Sequence, residues 1–330
     1  MERRNFIKQA GFGTTAVAAT ALATPALAQA NPEIRWRHTS AFPRSLDTLF
    51  GGTELFAKII NEMSDGKFQI RIYSAGEIVP ALQEYDAVQN GTVECGQDAA
   101  YYHFGKDPCF VFETGLPFSL NQRQYYSWLR NGGGHELIND FYRPLGVRSF
   151  TFGGTACQMG GWFRKEINTV EDLRGQRFRS YNVLTTRMAE LMGAAPVTVQ
   201  VAEIPQAFAT GVIAAMFTSA QTGVDTAAWD YARVFTDVGG MRAKNYVFAN
   251  TRAFRALDEG TRNAVLAAAQ RAAVRGLAEA KAAENEMSER LRSRGMQVVT
   301  PSAQLMTQLR EIGARQTQEW AQRAGPEGAQ

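Results

Sequence analysis

Arg177 and Arg179 stand two residues apart in the stretch LRGQRFRS, residues 173–180. A guanidinium presents a planar fork of N–H donors that meets a carboxylate with two parallel hydrogen bonds. The stretch reads as a strand. Side chains alternate across a strand, so Gln176, Phe178 and Ser180 share one face and both arginines the other. Arg179 falls near the C-terminal end, where an open α/β sheet presents its ligand contacts. Arg177 falls two residues inward, where a cation needs a carboxylate partner or a path to solvent. Alternation alone leaves two readings open: a clamp for an anionic ligand, or ordinary structural ion pairs.

Catalytic chemistry finds little support. The three histidines are His38, His103 and His135. HELIN, residues 135–139, begins like a zinc-protease helix but has Asn139 where the second histidine would stand. Neither a GxSxG elbow nor a Walker A loop occurs. NGGGHE, residues 131–136, follows a helix and reads as its C-cap and loop. Glu171 and Asp172 sit at a predicted helix start, where the helix dipole accounts for them. Cys95, Cys109 and Cys157 are an odd number, so at most one disulfide forms within the chain. A Cys95–Cys109 bridge and three thiols both remain open. No CxxC and no Cys/His spacing for zinc is present. The expectation is a protein with no catalytic residues and no cofactor, and not an enzyme.

The elements that must position the arginines alternate between strand and helix. Residues 33–40 and 68–76 read as strands around an amphipathic helix at 46–64. A short helix at 80–91, closed by Asn90-Gly91, precedes the strand VECGQDA. From about residue 150 a second unit of the same style runs through GGWFRKE, QRFRSYN, PVTVQ, IAAMFTSA and NYVFANTRAF. Thr169 and Gly175 bracket a helical turn within it. Strand–helix–strand alternation predicts parallel pairing, with helices on both faces of the sheets. Residues 258–294 carry alanine and charge at helical spacing and predict one or two long surface helices spanning both domains. No internal repeat is visible.

The chain has 330 residues, enough for about two domains, with 45% hydrophobic residues and a formal net charge of +3. Its first 30 residues combine a charged start, a small apolar run and the ending Ala-Leu-Ala-Gln-Ala, the pattern of an export signal. The Arg3-Arg4 pair resembles a twin-arginine signal. Removing residues 1–30 takes away Arg3, Arg4, Lys8 and Glu2, leaving 32 basic against 31 acidic residues and a charge of +1. Nothing then argues for a nucleic-acid partner. No later apolar stretch approaches the ~20 residues of a membrane span. The mature protein is expected in the periplasm.

Several stretches together carry a family likeness: SLDTLFGG, FAKIINEMSDGKFQIRIYSAGEI, AVQNGTVECG, YYHFGKDPCF, GLPFSLN, QMGGWFRKEI, DLRGQRFRS and AAMFTSAQTGVD. Spread from about residue 35 to 325, they make the chain resemble a solute-binding protein of a tripartite ATP-independent periplasmic (TRAP) transporter, of the DctP type. The resemblance implies an α/β two-domain periplasmic-binding-protein fold with crossing strands and a long bracing helix. It places domain I at 31–152 and about 243–284, and domain II at 153–242 and about 285–330. It also implies capture of a small organic acid, delivery to a membrane permease driven by an ion gradient, and a monomer or homodimer. A ligand-presenting protein for a sensor, or the binding protein of an ABC importer, are the alternatives. The ABC type would lack the long helix and the DLRGQRFRS pattern.

The same resemblance assigns candidate ligand contacts. Arg179 occupies the position of the family's carboxylate clamp. Gln158 lies where relatives that bind 2-oxo acids place a ligand-contacting glutamine. A second arginine found nearby in many members is missing here, which favours a monocarboxylate over a dicarboxylate or sugar acid, and the aromatic content near the cleft favours an aromatic or 2-oxo/hydroxy type. Where the 2-oxo-acid branch has a metal-holding Glu followed by Trp, this chain has Phe217-Thr218, so no metal is expected. Thr218 or Ser219 can donate a hydroxyl, and Phe217 stands between core and pocket. Asn245 matches a cleft position, and Tyr101 and Tyr102 can form an aromatic wall. Glu77 is a weaker candidate, since a carboxylate facing an anion is costly unless the ligand brings a donor.

Overall fold

The computed structural model describes residues 33–80, 82–151, 158–241 and 245–328. The expected export segment and Cys157 lie outside the described residues. The chain opens on β1 (Ile34–Ser40), crosses through α1 (Asp47–Met63) to β2 (Phe68–Tyr73), and returns through α2 (Glu84–Asn90) to β3 (Cys95–Asp98). Parallel neighbours need such crossovers, and β1 is parallel to both β2 and β3. Gly91 ends α2 in the left-handed region at φ 78°, as the Asn-Gly pair predicts. A 3₁₀ turn, Ala100–His103, follows β3. Then come α3 (Val111–Thr114), α4 (Gln122–Asn131), α5 (Gly134–Tyr142) and β4 (Val147–Thr151).

The second unit runs β5 (Gln158–Phe163), β6 (Arg177–Ser180), α6 (Val183–Leu191), β7 (Ala195–Thr198), α7 (Ile204–Ala209), β8 (Ala215–Thr218), α8 (Ala220–Asp225) and β9 (Val234–Met241). The chain continues as β10 (Tyr246–Asn250), α9 (Thr251–Arg255), α10 (Glu259–Ser293), β11 (Gln297–Val299) and α11 (Ala303–Gly328). The strands form two sheets, ordered β2-β1-β3-β10-β4 and β11-β9-β5-β8-β6-β7. The chain therefore crosses from the first sheet to the second after β4, and back after β9.

These crossings correct the expectation of parallel pairing throughout. β10 runs antiparallel to β3 and β4, and β5 runs antiparallel to β8 and β9. β5 and β10 each follow a strand of the other sheet, after only six and four residues respectively, fewer than the helical crossover between parallel neighbours needs. NYVFANTRAF is not one strand either. It turns helical after Asn250, whose side chain accepts hydrogen bonds from the Arg252 and Ala253 amides and caps α9. Sequence reading missed β9, whose Gly239 and Gly240 weaken the strand pattern, and the three-residue β11.

α10 is a single helix of 35 residues, about 50 Å long at the standard rise. Its N-terminal half buries Val265, Ala268, Ala269 and Ala272 in a core shared with Trp36, Phe56 and Phe150. Its C-terminal end buries Met287 and Leu291 among Trp162, Phe208 and Phe235. One helix thus has a foot in the core of each sheet, and it is less superficial than its composition suggests. In the second core Gly223 of α8 lies against Trp162, and a Cβ at that position would overlap the indole ring. Cys95 is a buried free thiol, its Sγ 3.7 Å from the Arg37 carbonyl oxygen, so a Cys95–Cys109 bridge is not formed.

Candidate ligand-binding site

β6 pairs with β7 and β8 in the second sheet. Its alternation is as the sequence predicts: Phe178 points into the core with Phe163 and Phe217, and the arginines point the other way. Arg177 is exposed, while Arg179, at the strand end, is only 3% exposed. The Arg179 Nε–H donates to the Val199 carbonyl oxygen at 3.0 Å. Its guanidinium carbon lies 4.7 Å from the centre of the Tyr181 ring, a cation–π geometry. Among the described residues no carboxylate pairs with it; the titratable groups that act on it are Tyr181, Tyr102, Tyr101 and Tyr231. Burial lowers the pKa of the guanidinium, but an arginine stays charged at any physiological pH.

Arg179 lines a cavity of about 30 Å³ between the two sheets. Thr218, at the end of β8, joins it from the same sheet, with Thr222 one helical turn further on in α8. Gln158 begins β5 and Asn245 immediately precedes β10, so both amides sit where the chain crosses between sheets. From the first sheet, the 3₁₀ turn after β3 carries Tyr101 and Tyr102 into the same space. The Tyr101 ring lies 5.0 Å from Tyr102 and 5.6 Å from Tyr181, centre to centre. Burial pushes all three phenol pKa values up, that of Tyr181 to about 12. They are therefore neutral O–H donors at physiological pH. Phe42, Leu49 and Val201 close the apolar side.

Six candidates from the sequence are thus brought together: Arg179, Gln158, Asn245, Thr218, Tyr101 and Tyr102. Three are placed elsewhere. Phe217 is next to Thr218 in a strand and so faces the opposite way, into the core, with its ring 5.1 Å from that of Phe178. The Ser219 hydroxyl caps α8 by accepting from the Thr222 amide at 3.0 Å, and it does not line the cavity. Glu77 braces a turn by accepting from the Ser74 amide, and its other oxygen lies 3.6 Å from Arg44. Tyr181 was missed although alternation predicts it: positions 177, 179 and 181 share a face. Phe42, Leu49, Thr222 and Val201 carry no signal in the sequence that marks them as pocket residues.

Among the described residues, the cavity lining includes no His, Cys, Lys, Asp or Glu. His103 is hydrogen-bonded to Asp98 at 2.7 Å, and among the described residues no nucleophile bonds to that imidazole. Nor, among the described residues, is any group of three or more His, Cys, Asp and Glu placed to hold a metal ion. What converges is one buried cation, amide and hydroxyl groups, and an aromatic wall. That set suits a small anion with a flat or apolar body.

A profile of the DctP family, described as bacterial extracellular solute-binding protein, family 7, matches residues 39–323. The chain belongs to this family. A monocarboxylate 2-oxoacid-binding periplasmic protein of Nostoc sp. (strain PCC 7120) is 45% identical over 182 residues, 54% of this chain and 50% of that protein. The match spans about half the length of that relative. Among solved structures, the Bordetella pertussis extracytoplasmic solute receptor DctP7, which binds pyroglutamic acid, superposes with a TM-score of 0.83 at 33% identity. That match covers 89% of this chain and 97% of the receptor. A TRAP transporter solute-binding protein from Bordetella bronchiseptica RB50, with copurified calcium and picolinate, gives a TM-score of 0.84 at 30% identity, covering 91% and 89%. The DctP-family fold is thus shared over nearly all of the described chain. No helix among the described residues is long and apolar enough to cross a membrane.

Proposed function

We propose that this DctP-family protein is the extracytoplasmic solute-binding subunit of a TRAP transporter and that it captures a small monocarboxylate between its two sheets. One observation carries the reading: Arg179 is a buried guanidinium lining a cavity, with no carboxylate partner among the described residues. A buried charge is costly unless paired and hydrogen-bonded. Nε is already held by Val199, which leaves the other guanidinium nitrogens for a ligand carboxylate in bidentate geometry. Gln158, Asn245, Thr218 and Thr222 then serve its remaining polar groups, and Tyr101, Tyr102 and Tyr181 stack against its body. Monocarboxylate chemistry is favoured because Arg179 is the cavity's one cation among the described residues.

Residues 31–152 with about 243–284, and 153–242 with about 285–330, act in this proposal as two lobes that close on the ligand. Residues 1–30 direct export, the closed form docks on the membrane permease, and no chemistry is performed. The calcium of the Bordetella bronchiseptica relative belongs to that relative. Here no carboxylate among the described residues lines the cavity, and a divalent cation beside the buried guanidinium would lack protein charge to offset it.

The test is a thermal-shift screen of residues 31–330 against pyroglutamate, picolinate, pyruvate and a dicarboxylate set, with Arg179→Ala beside the wild type. A ligand at 100 times its Kd adds about 2.7 kcal/mol of stability. Stabilisation of the wild type alone by a monocarboxylate supports the clamp. Equal stabilisation of both proteins removes Arg179 from the site, and no shift with any acid sinks the carboxylate reading.

A further inference from the structure

The 3₁₀ turn that carries Tyr101 and Tyr102 is anchored from beneath by buried titratable groups that ligand contact does not require. Asp98 ends β3 and His103 ends the turn; they are 0% and 2% exposed, and the Asp98 Oδ2–His103 Nε2 bond of 2.7 Å spans the two tyrosines. Glu84, the first residue of α2, is also fully buried, and neither of its carboxylate oxygens has a side-chain partner. Asp98 Oδ1 likewise has none.

We infer that the Glu84–Asp98–His103 cluster is a proton-responsive support for the Tyr101–Tyr102 wall, so that ligand capture is coupled to uptake of a proton. This rests on the carboxylate-binding reading of the cavity. With Glu84 ionised, two buried carboxylates lie behind the wall, and a ligand carboxylate in front of it is a third negative charge. With Glu84 protonated, one of those charges is gone and the Asp98–His103 bond holds the turn unopposed. The Tyr102 phenol connects the two sides, being within electrostatic reach of Arg179, Asp98 and Glu84.

Burial, and after it the Asp98 charge, push the Glu84 carboxyl up to about 8, so the proton is exchanged near physiological pH. The other groups around the cluster do not replace Glu84 in this role. Tyr85 on α2, Tyr142 on α5 and Tyr246 on β10 are phenols held neutral by burial. Asp86 is engaged by Lys106 at 2.7 Å, Asp107 accepts from the Cys109 amide, and Glu113 accepts from the Ser149 hydroxyl.

By linkage, a ligand that favours protonated Glu84 binds more weakly as pH rises through the range where Glu84 ionises. The experiment is calorimetric titration of the wild type and Glu84→Gln with pyroglutamate, picolinate and pyruvate, from about pH 6 to about pH 9.5. Two buffers of different ionisation enthalpy count the protons taken up. The wild-type Kd is expected to rise roughly three- to tenfold across that range, with proton uptake near its upper half. Glu84→Gln is expected to bind at every pH as the wild type does at the lowest, without uptake. Glu84→Met repeats the comparison with an apolar group. Binding that is intact but independent of pH, or a slope unchanged in both variants, overturns the coupling and leaves the carboxylate site standing. Absence of binding by every acid overturns the site reading and the coupling with it.

Discussion

Replacing Arg179 by methionine should make the free protein more stable and the bound complex far weaker. The two signs come from one fact: the guanidinium is 3% exposed and no carboxylate pairs with it among the described residues. Its desolvation costs several kcal/mol even after relaxation. Against this stand the hydrogen bond to the Val199 carbonyl, worth about 1.5–3 kcal/mol for a charged donor, and the stacking on Tyr181, about 0.5–2 kcal/mol. Methionine nearly preserves the packed volume and removes the charge, so the free protein should gain about 1–2 kcal/mol. At about 2–4 °C per kcal/mol for a domain of this size, the melting temperature should rise by roughly 2–8 °C. Loss of a buried, hydrogen-bonded charge pair costs about 2–5 kcal/mol, so monocarboxylate affinity should fall by at least about thirtyfold. Differential scanning calorimetry without ligand and calorimetric titration with pyroglutamate read the two effects. A melting temperature lowered by several degrees would show that Arg179 holds the fold together, and the argument from an unpaired charge would fail. Unchanged affinity would remove the clamp.

His38 is wholly buried, and burial alone depresses its pKa to about 3. Its contribution to stability is therefore complete above the unfolded value near 6.5 and is lost as pH falls toward 3, by about 1.4 kcal/mol per pH unit. Urea midpoints of His38→Phe should fall less steeply than those of the wild type between about pH 6 and about pH 4; parallel curves would contradict this. Gly223→Ala forces a methyl group into the Trp162 ring and should cost about 1–3 kcal/mol, read by chemical denaturation; a neutral result would mean α8 shifts freely. Because the cavity lining among the described residues includes no carboxylate, ligand affinity should be the same with a chelator and with added calcium. A change larger than about threefold would reveal a cation in the site.

Local rules carried the reading of β6 and its neighbours a long way. Strand alternation separates Arg179 from Phe178, and the same rule separates Thr218 from Phe217 and joins Tyr181 to Arg179. Phe217 and Thr218 are adjacent in β8 and so cannot both face a ligand, and the structure places Phe217 in the core. Signals set by a few consecutive residues were equally legible: the Asn90-Gly91 helix stop, and Asp172 accepting from the Asn168 and Thr169 amides at the predicted helix start. Ser219 shows the limit of reading residue type, because a hydroxyl beside a strand end serves a ligand or a helix cap equally well; here it caps α8.

Tertiary structure alone decided which distant segments meet. The cavity takes Arg179 and Thr218 from one sheet and Tyr101 and Tyr102 from the other, with Gln158 and Asn245 from the crossings between them. Strand pairing across a crossing depends on the burial of whole faces, to which no short window of sequence has access, and so the antiparallel entry of β5 and β10 was not foreseen. The same holds for Phe42, Leu49 and Val201, apolar residues that any core would accept and that became pocket walls only when distant segments met around Arg179. Sequence determined what each residue can do and which way it faces on its own element, because those are matters of covalent geometry and local hydrogen bonding. Which cation was left without a partner, and what stands opposite it, was decided by packing.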